Sequence, residues 1–332
     1  MKILLVAPSW VGDMVMAHTL VQVLVERHPG AHIHALAPAA TVALAGRMHG
    51  IDAASLLDVG HGEVGWTRRR EAAGRFRGFD AAYVLPNSLK SALVPLFARI
   101  PKRIGWSGEA RYLLLNDRRT LDTRRLPLMV ERFMALGLEP GESLPEPYPR
   151  PRLVVDEDNR TAVCHRLGLD VRQDASSDVV ALCPGAEFGP AKRWSAAHYA
   201  EVAGFALTAG DDVWLFGSPG EAAVCAEIEC LAPGVTNLAG RTSLLDAIDL
   251  MSLARTVVCN DSGLMHVACA LERKVVAVYG STSPGFTPPL GEDVVVLRES
   301  LDCSPCFERE CPLGHMNCLN SLAPKRVIEA LS

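Results

Sequence analysis

Short unbroken apolar runs alternate with stretches of helical periodicity along most of this chain. Lys2 to Ala7 is rich in branched apolar residues and is stopped by Pro8, as expected for a strand buried on both faces of a parallel sheet. Ala17, Leu20, Val21 and Leu24 then recur at helical spacing until His28-Pro29-Gly30, where Pro cannot continue a helix and Gly can end one. A second apolar run, Ala31 to Ala37, with His32 and His34 on its alternate face, completes a βαβ unit. The pattern returns at Asp80 to Leu85, a strand closed by Pro86-Asn87-Ser88. A helical stretch from Lys90 to Arg99 and a strand from Arg103 to Trp106 follow.

Between Pro140 and Pro151 the chain turns rich in Pro, Gly and Glu (PGESLPEPYPRP), which reads as an exposed linker or domain edge. A helical stretch spans about Asn159 to Leu167, and Ser176 and Ser177 open a second α/β series. Its predicted strands are Val179 to Cys183, Val213 to Phe216, Thr256 to Cys259 and Lys274 to Tyr279. Helices are predicted around Tyr199 to Ala206, over Glu221 to Leu231, Leu244 to Leu253 and Gly263 to Leu271. The expectation is an α/β chain of two Rossmann-like halves, 1–165 and 166–332.

Composition narrows the class. The 332 residues are 49% hydrophobic and 21% charged, so neither a disordered polyelectrolyte nor a small disulfide-stapled scaffold fits. No apolar run approaches the roughly 20 residues of a spanning helix, and the apolar start is too short for a secretory core. Ten cysteines without such a leader read as reduced thiols or metal ligands, pointing to the cytoplasm. A net charge of −5 argues against general nucleic-acid binding. None of the strand-end loops SWVGD, PGAEFGPAKRW, NDSGLMH and YGSTSPGFTPP is a GxGxxG or GxxxxGK[ST] fingerprint, and a GxSxG elbow is missing. Dinucleotide redox chemistry, P-loop hydrolysis and serine hydrolysis lose ground to a transferase or epimerase acting on a nucleotide-sugar.

In open α/β sheets ligands bind outside the carboxyl ends of the strands, and four loops there carry candidate chemistry. In SWVGD, Asp13 reads as a helix N-cap or, without excluding that, as a general base; a base at a helix start depends on burial or substrate to hold its proton. In PGAEFGPAKRW, Lys192 is either a solvated surface charge or a point charge added to helix-start amides that hold a diphosphate. In NDSGLMH, Asp261 and Ser262 are candidate caps, Gly263 permits close approach of a ligand, and His266 is by default a buried, hydrogen-bonded histidine. The fourth, YGSTSPGFTPP, can cradle phosphate or simply turn the chain. Arg68, Arg69 and Arg70, with Arg75 and Arg77 nearby, form either a solvated helix face or a grip for an anionic, membrane-anchored acceptor. Cys303, Cys306, Cys311 and Cys318 form C-x₂-C-x₄-C-x₆-C, readable as a structural zinc site or as reduced thiols in an ordered loop.

At these loops the sequence resembles the ADP-heptose:lipopolysaccharide heptosyltransferases, with the likeness strongest to members that add the second heptose. The matching strings are KILLVAPSWVGDMVMA, VLPNSLKSALVP, CPGAEFGPAKRW, NDSGLMHVACAL with VYGSTSP, and CSPCFERECPLGHMNC, in order across nearly the whole chain. The resemblance implies a GT-B glycosyltransferase: two Rossmann-like domains with parallel sheets facing a central cleft, and a last helix, about Pro324 to Leu331, packing back on the first domain. The acceptor, heptosyl-Kdo2-lipid A, would be held by residues 1–165, with Arg68, Arg69, Arg70, Asn87 and Ser88 at its site. ADP-heptose would be held by 166–332. There Lys192 and the amides of Ser262, Gly263 and Leu264 would meet the diphosphate, and Asp261 and His266 the heptose or phosphates. Glu221 would meet the ribose, Thr242 the adenine, and Glu187 would belong to the donor loop. Asp13 would be the base of an inverting displacement with no obligatory cofactor. Alternatives are a heptosyltransferase of another position (I or III), a GT-B-fold nucleotide-sugar epimerase, and a catalytically silent binder. The resemblance also implies cytoplasmic action, with peripheral contact at the inner-membrane surface, and no nucleic-acid partner.

Overall fold

The computed structural model describes residues 1–60, 62–169 and 178–331. They divide into two compact units, Met1–Arg152 and Leu153–Ser332. In the first, β1 (Lys2–Val6), β2 (His32–Ala37), β3 (Ala53–Leu56), β4 (Ala81–Val84), β5 (Lys102–Trp106) and β6 (Asp117–Arg119) form a parallel sheet ordered β3-β2-β1-β4-β5-β6. Helices α1 (Val11–Arg27), α2 (Ala39–Ala45), α3 (Trp66–Ala73), α4 (Leu93–Phe97) and α5 (Met129–Gly137) connect and cover it. Central β1 pairs Leu4 with His34 on one side and Ala82 on the other, and Ile3, Leu4 and Leu5 are fully buried. Burial on both faces is what its unbroken apolar run encodes. The strand order reverses between β1 and β4, so the turn that enters α1 lies at a topological switch point.

The second unit repeats the plan. Its strands are β7 (Val179–Cys183), β8 (Asp212–Leu215), β9 (Thr236–Asn237), β10 (Ala254–Asn260), β11 (Lys274–Tyr279) and β12 (Val294–Arg298), ordered β12-β11-β10-β7-β8-β9. Its helices are α6 (Glu157–Leu167), α7 (Ala196–Ala209), α8 (Ala222–Leu231), α9 (Leu244–Met251), α10 (Gly263–Ala270), α11 (Asn317–Asn320) and α12 (Pro324–Leu331). Here the switch point falls between β7 and β10.

Two expectations are corrected. The division falls at Arg152/Leu153, earlier than 165/166, because the linker's end is bound to the first unit and α6 to the second. Gln22 Nε2 donates to the Arg150 carbonyl at 2.8 Å and the Arg152 amide to His18 Nδ1 at 3.0 Å. Beyond that point the Leu153 amide donates to the Ala270 carbonyl, and Asn159 Nδ2 donates to Asp249 Oδ2 at 2.7 Å. Helix α12 buries Val327 and Leu331 in the core of the second unit, where it packs on α7. The predicted helix Lys90 to Arg99 becomes a 3₁₀ turn, Leu89–Ala92, followed by α4. Pro95 has no N–H to donate, so the helix starts at Leu93, which leaves that gap in its first turn. Ser176 and Ser177 lie outside the described residues.

Candidate active site

Adjacent strands β11, β10, β7 and β8 carry the loops that matter in the second unit, so those loops emerge side by side. Asn260, fully buried at the end of β10, fixes the β7 loop at both ends: its Oδ1 accepts from the Trp194 amide at 3.1 Å, and its Nδ2 donates to the Pro184 carbonyl at 2.7 Å. Buried Trp194 anchors the loop further by donating from Nε1 to the Leu322 carbonyl at 3.0 Å. This frame aims Lys192 inward. Its Nζ donates to Asp261 Oδ2 at 2.6 Å and lies 3.3 Å from the Asp261 carbonyl. The two side chains are only 13% and 4% exposed, so Lys192 is no surface charge. Thr282, from the β11 loop, donates to the same Oδ2 at 2.5 Å, and Thr287 reaches Oδ1 at 3.5 Å. The Phe188 ring carries Lys192 Nζ 5.1 Å from its centroid and the Arg309 guanidinium at 5.3 Å, two cation–π contacts.

Asp261 is therefore not the N-cap of α10. Ser262 holds the N-cap position of α10 in extended backbone but makes no side-chain cap bond, so the first-turn amides of α10, beside half-buried Gly263 and Leu264, receive nothing from it. His266, one turn in, is 5% exposed. Burial drives its pKa down to about 4, Lys192 pushes the same way, and Asp261 opposes both. Glu221, at the β8 end, accepts from the Ser218 amide at 2.7 Å, and its carboxylate lies against Gly185, where any Cβ would collide with it. Glu187 is exposed in the β7 loop, and half-buried Thr242 sits in the turn before α9. A bond from the Gly240 amide to the Gly217 carbonyl, 3.0 Å, ties that turn to the β8 loop. The structure thus brings Lys192, Asp261 and His266 together with the start of α10, and sets Glu221 against the β7 loop.

The cysteine-rich tail braces these loops from behind. The Ala191 amide donates to the Arg309 carbonyl at 3.0 Å, the Phe307 amide to the Ser281 carbonyl at 2.7 Å, and Ser304 Oγ to the Gly280 carbonyl at 2.8 Å. Cys303, Cys306, Cys311 and Cys318 are free thiols lining one cavity of about 20 Å³ with His315. Backbone amides, that of Met316 foremost, lower the Cys311 pKa. Among the described residues no three His, Cys, Asp or Glu side chains are arranged to hold a metal ion.

In the first unit Asp13 is the third residue of α1, half-buried, and Trp10 is the N-cap, so the reading of Asp13 as the cap is corrected. Asn87 and Ser88 follow β4 in a loop clamped by an arginine that sequence reasoning passed over. Arg111 is 1% exposed and donates to the Pro86 carbonyl at 2.7 Å, to Asn87 Oδ1 at 3.2 Å and to the Trp106 carbonyl. Nothing in the isolated string GEARYL marks that role, since its partners lie on other strand ends. The three arginines of α3 do not share a face. Arg69 is buried and donates from Nε to the Val64 carbonyl at 2.6 Å, which leaves exposed Arg68 and Arg70 as the surface cations; Arg68 also contacts Asp58.

With this geometry in place, the comparisons define the class. Residues 73–317 match the family model "Glycosyltransferase family 9 (heptosyltransferase)". The chain is 44% identical over 346 residues to lipopolysaccharide heptosyltransferase 2 of Escherichia coli strain K12, covering 100% of this chain and 98% of the relative. It is 43% identical over 343 residues to the protein of the same name in Salmonella typhimurium, covering 100% and 97%. Among solved structures, that of E. coli ADP-heptose LPS heptosyltransferase II superposes with a TM-score of 0.87 at 42% identity, covering 100% of this chain and 97% of the other. The chain is a glycosyltransferase of the two-Rossmann-unit type, and it belongs to glycosyltransferase family 9, the heptosyltransferases.

Two outcomes test the site's construction. A Cβ at Gly189 would collide with the Arg309 carbonyl, backbone against backbone, so Gly189→Ala should cost about 1–3 kcal/mol in urea unfolding. An unshifted midpoint would show that the tail does not bear on the Lys192 loop. Between about pH 6.5 and 4 the unfolded chain protonates His266 while the folded chain does not, so stability falls as pH drops through that window. His266→Gln should flatten this slope, and an equally steep slope in the variant would assign the acid sensitivity elsewhere.

Proposed function

We propose that this chain transfers L-glycero-D-manno-heptose from ADP-heptose to the first heptose of the lipopolysaccharide inner core, with inversion at the anomeric carbon. The observation that carries the donor half is the buried ammonium of Lys192 beside the uncapped start of α10, at the switch point of a parallel sheet. A leaving ADP needs positive charge where its negative charge develops, and a fixed ammonium with helix-start amides supplies it in a site that holds little water. In this scheme no metal is needed to neutralise the diphosphate. Glu221 meets the ribose hydroxyls, Thr242 lines the adenine pocket, and Asp261 and His266 contact the heptose or phosphates. The full-length likeness to chains named heptosyltransferase 2 supports the choice of acceptor.

On the acceptor side, Asp13 takes the proton from the attacking hydroxyl. A single displacement needs one base and no covalent intermediate, unlike a retaining hydrolase with two close carboxylates. Arg68 and Arg70, with the Asn87–Ser88 loop, contact the anionic acceptor, heptosyl-Kdo2-lipid A. No helix among the described residues is long and apolar enough to cross a membrane. The acceptor's lipid is reached by peripheral contact at the cytoplasmic face of the inner membrane.

Loss of a general base typically costs 10²–10⁴-fold, so Asp13→Ala should lower kcat at least about a hundredfold while leaving ADP affinity within about twofold. Near-normal turnover in that variant would reject Asp13 as the base.

A further inference from the structure

We infer that Thr282 is a positioning residue that sets how readily Lys192 is released to the donor's diphosphate. The inference rests on the reading of the Lys192 loop as the diphosphate site. Three loops meet at one oxygen: Lys192 after β7 and Thr282 after β11 both donate to Oδ2 of Asp261 after β10, at 2.6 Å and 2.5 Å. Asp261 and Thr282 are 3% and 8% exposed, so water does little to solvate that carboxylate. The ammonium is therefore already committed before any donor arrives.

A diphosphate that draws Nζ toward itself takes charge away from a buried carboxylate. A carboxylate left without donors in such a place is strongly penalised. The Thr282 hydroxyl remains on Oδ2 when Lys192 turns, and Thr287 stays within reach of Oδ1. Thr282 thus shares the solvation of Asp261 and frees part of Lys192 for the phosphate. Its removal leaves Asp261 more dependent on Lys192, so the same cation binds diphosphate less well. Neither residue's sequence context announces this: Thr282 lies in YGSTSP, where it reads as one hydroxyl among several in a turn.

The test is titration calorimetry with ADP on the full chain. Thr282→Val, which keeps the shape and removes the hydroxyl, should weaken ADP about tenfold. Thr282→Ser should bind within about twofold of wild type. In a Lys192→Met background, Thr282→Val should change the residual ADP affinity by less than twofold, because the hydroxyl acts through the ammonium. Thr282→Ala supplies a second hydroxyl-free variant, and matching thermal midpoints confirm that each compared protein is folded. Wild-type affinity in the Val and Ala variants, or an equal loss with and without Lys192, would overturn the inference while leaving the diphosphate site standing. A wild-type chain that ignores ADP, or a Lys192→Met variant that binds it undiminished, would instead overturn the donor reading and this inference with it.

Discussion

The second unit is organised around one ion pair that water barely reaches. A buried Lys–Asp pair is a poor device for stability, because desolvating both charges offsets most of their attraction unless further hydrogen bonds complete the shell. Here that shell is complete enough to be demanding: two threonines, the Asp261 carbonyl and a phenylalanine ring all converge on Lys192 and Asp261. These groups come from the three loops after β7, β10 and β11, so the pair dictates how the ends of those strands are arranged. A fold seeking only stability would place apolar side chains there. Retaining a desolvated ammonium beside a helix start that its own N-cap serine does not cap makes sense for a site whose ligand brings negative charge.

The parallel sheet makes this convergence possible. Reversal of strand order between β7 and β10 splits the loops above them and opens space at their carboxyl ends. Asn260 spans that split with a single amide, and the irregular tail closes the rear of the Lys192 and Thr282 loops with backbone bonds. The tail is thus a structural wall of the site, despite having little regular structure. The first unit shows the same economy in a different form: buried Arg111 gathers carbonyls from two strand ends and so shapes the loop that carries Asn87 and Ser88.

Much of this was legible in the sequence because central strands of parallel sheets are apolar throughout. The runs at Lys2–Ala7, Val179–Cys183 and Lys274–Tyr279 predict β1, β7 and β11 closely. Three of the four edge strands were not legible in the same way. β6 is Asp-Arg-Arg, with Arg119 consumed by the Ala135 and Leu138 carbonyls; β9 is two residues long; and β3 alternates weakly. Helix α5 and strand β12 carry readable patterns, Val130-Phe133-Met134 and Val294-Val295-Val296, but no candidate chemistry. The site shows a parallel division. Residue types at strand ends point to Lys192, Asp261 and His266, but partnership is a property of space: Thr282, Arg111 and the inward turn of Arg69 depend on neighbours far away in sequence.

Heptose transfer to one kind of acceptor is the activity on which every assigned role depends. Mass spectrometry of a reaction containing ADP-heptose and Kdo2-lipid A acceptors bearing zero or one heptose reads this directly. The one-heptose acceptor alone should gain a single heptose, with ADP released in equal amount. Modification of the heptose-free acceptor, or conversion of ADP-heptose when no acceptor is present, would contradict it.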